Sequence, residues 1–141
     1  MDLENGIPRS PNDRLMGIPM LPRTIDKARA KLAGTIGEYV FGRKSSFDAA
    51  LLDFLDLTDE RFLDGVRVSK DDDAMAAWLK SNARPLSAAQ IDAFAAEFLN
   101  DGDDDEDRAR FRTRVAELPE AVRHKVKGWA DLLDAGEGRI T

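Results

Sequence analysis

The stretch that decides the fold is Leu21-Pro22-Arg23-Thr24-Ile25-Asp26-Lys27-Ala28-Arg29-Ala30-Lys31-Leu32, closed by Ala33 and Gly34. Leu21, Ile25, Ala28 and Leu32 recur at i, i+4, i+7 and i+11, the spacing of an apolar stripe on a helix. Pro22 suits the first turn, where a missing N–H loses no hydrogen bond. Gly34 suits a left-handed stop. At about 100° per residue, Arg23, Asp26, Lys27 and the small Ala30 fall on the opposite side. The stripe predicts a core-facing helix, and the other side predicts a free charged face.

Upstream, residues 1–20 hold Pro8, Pro11 and Pro19 with Gly6 and Gly17. This punctuation predicts an extended arm with one short turn at residues 13–16. Leu15, Ile18 and Met20 are its candidate anchors. Downstream, residues 34–44 contain three glycines and no helical period, a loop with a short extended piece at residues 39–41.

Capped amphipathic segments follow. Ser45 with Asp48 reads as a capping box opening a helix with Phe47, Leu51, Phe54 and Leu55 inward. Thr58 precedes Asp59 and Glu60 and opens a helix carrying Phe62, Leu63 and Val66. Asp71 opens one carrying Met75, Trp78 and Leu79. Ser87 and Gln90 form a second box ahead of Ile91, Phe94, Ala95, Phe98 and Leu99. Residues 101–107 read as a solvated acidic linker. A helix with Phe111, Val115 and Leu118 follows it. Pro119 starts a last helix with Val122, Val126, Trp129 and Leu133, stopped at Gly136. Trp78, Phe94, Phe98 and Trp129 are expected in the core. No segment alternates as a strand and no fixed-period repeat is present. The fold expected is all-α: a compact single-domain bundle of about seven short helices over residues 21–141, with an extended N-terminal arm over residues 1–20 docked on it.

The chain has 141 residues, enough to bury about two-thirds of its unfolded surface without staples. It has no cysteine, which excludes disulfides, thiolate nucleophiles and Cys-based zinc sites. No apolar run approaches the roughly 18 residues of a membrane span. The acidic start Met1-Asp2-Leu3-Glu4 lacks the apolar core of a secretory signal, so a cytoplasmic location is expected. The net charge of −6 is uneven: residues 1–45 carry +3 and the remainder −9. An acidic majority argues against nucleic acid as a partner, and no membrane partner is expected.

Several strings resemble domain-of-unknown-function family 5069. They are Pro8-Arg9-Ser10-Pro11, Leu15 with Gly17, Leu21-Pro22-Arg23 through Ile25-Asp26-Lys27, and Ala33-Gly34-Thr35 with Gly37-Glu38-Tyr39. Near the end come Trp129-Ala130-Asp131-Leu132-Leu133-Asp134 and Glu137-Gly138-Arg139. The resemblance spans nearly the whole chain. Family members continue Glu-Tyr with a histidine and a Cys-Pro turn; here Val40 and residues 42–46 stand there, so any role of that histidine is absent. The resemblance implies a small helical bacterial protein and no particular activity.

The chemistry the residues offer is narrow. Arg23 and Asp26 at i, i+3, with Lys27 beside them, suit recognition of a carboxylate or phosphate, with Asp26 orienting the guanidinium. Arg9 and Arg14 of the arm are placed to close over that face, and Tyr39 can add a hydroxyl. The bland alternative is a solvated face or a polar network holding the arm. Gly34-x-x-Gly37 lacks the strand–loop–helix setting of a phosphate loop. Residues 101–107 miss the ligand spacing of a calcium loop. His124 is the single histidine, and no Gly-x-Ser-x-Gly elbow accompanies it. No metal and no cofactor are expected. The first hypothesis is a non-enzymatic binding module whose cationic face takes a small anionic ligand or a protein partner. The alternative is a small enzyme acting on a carboxylate- or phosphate-bearing metabolite through Arg23, Asp26, Lys27 and Tyr39. A deep pocket at these residues would favour the enzyme, and a flat patch the interaction role.

Overall fold

A computed structural model describes residues 1–100 and 105–140. Its helices are α1 (Leu21–Ala33), α2 (Ser46–Leu55), α3 (Asp59–Val68), α4 (Asp72–Asn82), α5 (Ala88–Phe98), α6 (Asp105–Ala116), α7 (Glu120–Arg123) and α8 (Trp129–Gly136). The only sheet among the described residues is a two-stranded hairpin in the arm, β1 (Arg14–Leu15) with β2 (Ile18–Pro19), paired antiparallel.

The caps do what their sequences predict. Ser45, Thr58, Asp71 and Ser87 each accept a backbone N–H of the following turn. Ser87 and Gln90 close a reciprocal capping box. Helix α1 ends at Gly34 in the left-handed conformation, φ 73°, and the Thr35 N–H returns to Ala30 O at 2.8 Å.

Four expectations about the secondary-structure elements change. The last predicted helix is two, α7 and α8, because Gly128 lies against the Leu99 and Asn100 carbonyls, where any Cβ would come within 2.2 Å of Leu99 O. The turn in the arm is a hairpin centred on Met16 and Gly17, with φ of 58° and 78°, the doubly positive geometry that matches strand twist. Residues 39–41 form no strand. Of the acidic run, residues 101–104 lie outside the described residues, while Asp105, Glu106 and Asp107 form the first turn of α6 rather than a linker.

The core gathers Ile18 and Met20 of the arm, Leu21, Ile25 and Ala28 of α1, Leu51, Leu52 and Leu55 of α2, Phe62 and Val66 of α3, and Met75 and Leu79 of α4. Leu15 packs against it partly buried. Trp78, Phe94 and Phe98 also flank this core half-buried rather than inside it. Trp129 is half-buried too, edge-on to Phe111 at 5.6 Å. Gly65 is where α3 meets α4: a Cβ there would lie 2.6 Å from the Trp78 ring.

Helix α1 is the centre of the molecule. Every residue from Leu21 to Ala28 is buried. Leu32, expected on the core stripe, is 39% exposed, because the last turn of α1 emerges from the body. Arg23, Asp26 and Lys27, expected on a free face, are 4%, 6% and 4% exposed.

Candidate functional site

Burying three charges on one helix requires partners, since an unpaired interior charge costs several kcal/mol. Each finds them far away in sequence. Arg23 forms a two-pronged pair with Glu137, at 2.9 and 2.8 Å, and donates to Arg9 O at 3.2 Å. Asp26 accepts from Arg9 three times: from its backbone N–H at 2.9 Å, from Nε at 3.1 Å and from Nη2 at 3.1 Å. Asp26 therefore holds Arg9. Its expected role of orienting Arg23 falls to Glu137.

Lys27 Nζ lies 2.8 Å from Asp48 Oδ2 and donates to Val40 O at 2.9 Å. Asp48 is fully buried. The Thr24 hydroxyl donates to its Oδ1 at 2.7 Å, and the Gly42 N–H to its Oδ2 at 2.9 Å. Asp48 thus occupies the capping-box position by its backbone, but its carboxylate points inward. Burial pulls the Lys27 ammonium below its ordinary pKa, with Asp48 opposing the shift.

Glu137 is the second centre. Arg139 Nη1 bridges it and Asp134, the latter at 3.3 Å, while Arg139 Nη2 donates to Pro8 O. The Tyr39 hydroxyl donates to Glu137 Oε2 at 3.1 Å, and its ring lies 5.6 Å from the Arg23 guanidinium. Burial alone would raise Glu137, but hydrogen bonds from Arg23 and Arg139 outweigh it and hold the carboxyl below its ordinary range. Burial and then the negative Glu137 push the Tyr39 phenol up. Asp134 in turn accepts from the Ser10 hydroxyl at 2.7 Å and from Asn12 Nδ2 at 2.8 Å. The arm is thereby tied to the C-terminal helix across α1.

The outer edge of the network is Arg9. Its Nη1 reaches Asp72 Oδ2 at 2.5 Å, at the start of α4. That hydrogen bond holds the Asp72 carboxyl below its ordinary range, and the same pairing, against the opposing effect of burial, raises Arg9. Arg9, Asp26, Arg29, Lys70, Asp71, Asp72 and Asp73 line an open cleft of about 470 Å³. Arg29 Nη2 is buried with no hydrogen-bond partner among the described residues.

A model of one protein family, described as a domain of unknown function (DUF5069), matches residues 5–139. The chain belongs to the DUF5069 family. No curated protein matches it. In this DUF5069 chain the strings that carried the resemblance turn out to be the network: Arg9 and Ser10, Arg23, Asp26 and Lys27, Tyr39, Asp134, Glu137 and Arg139. Val40 supplies a backbone carbonyl to Lys27.

Of the six candidate residues, Arg9, Arg23, Asp26, Lys27 and Tyr39 come together. Arg14 does not: it is exposed on β1, and its side chain makes no hydrogen bond or ion pair with a described residue. Residues 34–37 pack on the arm, where a Cβ at Gly37 would come within 2.9 Å of Leu3 O. Among the described residues no group of three His, Cys, Asp or Glu is placed to hold a metal ion, and no helix is long and apolar enough to cross a membrane. Sequence reasoning missed Asp48 as a buried counter-ion, Asp72, Asp134, Glu137 and Arg139 as partners, and Arg29 as a cleft residue. The resemblance had marked Asp134, Glu137 and Arg139. Nothing local marked Asp72 or Arg29.

Proposed function

We propose that this DUF5069 protein is a non-enzymatic binding module for a small anionic ligand bearing a carboxylate or phosphate, taken at the outer edge of the cluster by Arg29 and Lys70. The observation that carries this reading is Arg29 Nη2, buried without a hydrogen-bond partner among the described residues, on a side chain that lines an open cleft. An unsatisfied buried N–H costs about 1–3 kcal/mol, and a ligand oxygen that draws the guanidinium into the cleft removes that cost. The cleft sets three cations, Arg9, Arg29 and Lys70, against four carboxylates. Asp26 and Asp72 accept from Arg9 and Asp71 from the Ala74 N–H, so an anion must bind through Arg29 and Lys70 against the remaining negative charge. Arg23 and Lys27 are not offered to a ligand, because Glu137 and Asp48 already neutralise them. The enzyme alternative loses support for the same reason: Arg23, Asp26, Lys27 and Tyr39 each spend their polar atoms on another residue of the chain.

Thermal melts with phosphate, pyrophosphate, succinate and citrate test this. A ligand present at 100 times its Kd adds about 2.7 kcal/mol of stability, several degrees in a chain of this size. The expected result is that at least one anion raises the melting temperature of the wild type, and that Arg29→Gln and Lys70→Gln reduce the rise. No stabilisation by any of the four, or an undiminished response in Arg29→Gln, would refute the reading.

A further inference from the structure

A second cavity, far in character from the charged cleft, lies where the hairpin turn meets the ends of α2 and α4 and the start of α5. It is a half-open groove of about 500 Å³, within the range of small-ligand sites. Its walls are apolar: Met16, Leu79, Leu86 and Ile91. Two charges line it, Lys80 and Arg84, and no acidic residue does, in a protein whose net charge is −6.

Those two cations are not consumed by the fold. Lys80 is exposed and makes no hydrogen bond or ion pair with a described residue. Arg84 is fixed in place but not neutralised. Its Nε donates to Phe54 O at 2.5 Å, and its guanidinium lies 5.3 Å from the Phe54 ring centroid. Its two Nη nitrogens form no hydrogen bond with a described residue. The C-terminal end of α4 contributes a negative partial charge of about half a unit, which two full positive charges exceed.

A half-open, mainly apolar groove lined by two cations and no acid has a definite chemical complement. We propose that this cavity binds a small amphiphilic anion, an alkyl chain ending in a carboxylate, with the chain against Leu79, Leu86 and Ile91 and the head group on Lys80 and Arg84. The tail buries apolar surface that water otherwise wets. Arg84, held by Phe54, presents a pre-oriented fork of donors to a carboxylate. This site is separate from the Arg29 cleft and stands or falls independently of it.

The test is calorimetric titration of the full chain with decanoate, decanol and acetate. Decanoate separates the site from either half of its chemistry, since decanol lacks the charge and acetate the chain. The expected result is saturable one-site binding of decanoate, at least tenfold tighter than either control. Lys80→Gln, at an exposed position, should weaken decanoate about tenfold and leave decanol unchanged. Leu86→Asp, which places a like charge against the ligand, should abolish decanoate binding while circular dichroism confirms the helical fold; if that variant unfolds, Met16→Asp on the opposite wall serves the same purpose. Decanoate binding no tighter than decanol or acetate, non-saturable detergent-like binding, or unchanged affinity in Lys80→Gln would each overturn the proposal.

Discussion

Helices α1 and α6 use the same local vocabulary and do opposite things with it. In α6, Asp107 and Arg110 stand three residues apart and pair with each other, Glu106 joins from one turn away, and Arg108 reaches Asp105. Arg110 keeps 58% of its side chain in water. In α1, Arg23 and Asp26 stand at the same spacing and do not pair; each reaches outside the helix, to Glu137 and to Arg9. The difference is burial. An exposed helix leaves its charges only their near neighbours and water, and such pairs contribute at most about 1 kcal/mol. A helix enclosed from Leu21 to Ala28 must match every charge with a full set of donors and acceptors, and losing one partner there costs about 3–5 kcal/mol.

The largest effect should come from Lys27→Met. It leaves Asp48, fully buried, with only the Thr24 hydroxyl and the Gly42 N–H. Urea unfolding should show a loss of about 3–5 kcal/mol, and adding Asp48→Leu should recover a large part of it, because removing both members of a buried pair is often near neutral. A Lys27→Met protein within about 0.5 kcal/mol of wild type would erase the distinction between the two helices.

A smaller effect should appear in acid. Glu137 has its pKa depressed in the folded chain from about 4.5. Its contribution is therefore complete above that value and is lost as pH falls through the lower folded-state pKa. Melting temperatures between pH 6 and pH 3 should fall less steeply in Glu137→Gln than in wild type, although the variant starts lower. Parallel slopes would remove Glu137 from the acid response.

The smallest effect belongs to α6. Arg110→Ala should change stability by no more than about 1 kcal/mol, and added salt should narrow even that difference. A loss comparable to that of Lys27→Met would mean that α6 is less exposed in solution than its side chains indicate.

How much of this was legible follows from the range of each interaction. The caps at Ser45, Thr58, Asp71 and Ser87 were readable because cap and capped N–H lie within three residues. The stripe on Leu21, Ile25 and Ala28 was readable because periodicity is local. That the opposite side is also buried was not, because its counter-ions are remote: Glu137 lies 114 residues from Arg23, and Asp48 belongs to another helix. Charged residues on a helix normally mark the solvent side, and the physical reason for the exception is a sequence-distant carboxylate for each cation. The hairpin escaped because Met16, not a glycine, takes the left-handed position. Arg29 escaped because an unpartnered atom has no sequence signature. Five of the six candidate residues nonetheless meet in one cluster, because the arm places Arg9 over the helix face that carries Arg23, Asp26 and Lys27, with Tyr39 beside it.

The buried charges of α1 are part of the framework, and the pair that ties that helix to Glu137 offers the sharpest measurement. A double-mutant cycle on Arg23→Ala and Glu137→Ala, read by denaturant unfolding, isolates their interaction from the cost of each truncation. A framework pair at 2.8 Å with both side chains mostly buried predicts a coupling of about 2 kcal/mol or more, with each single variant clearly destabilised. A coupling below about 0.5 kcal/mol, with Arg23→Ala as stable as wild type, would contradict it and return Arg23 to the role of a free cation.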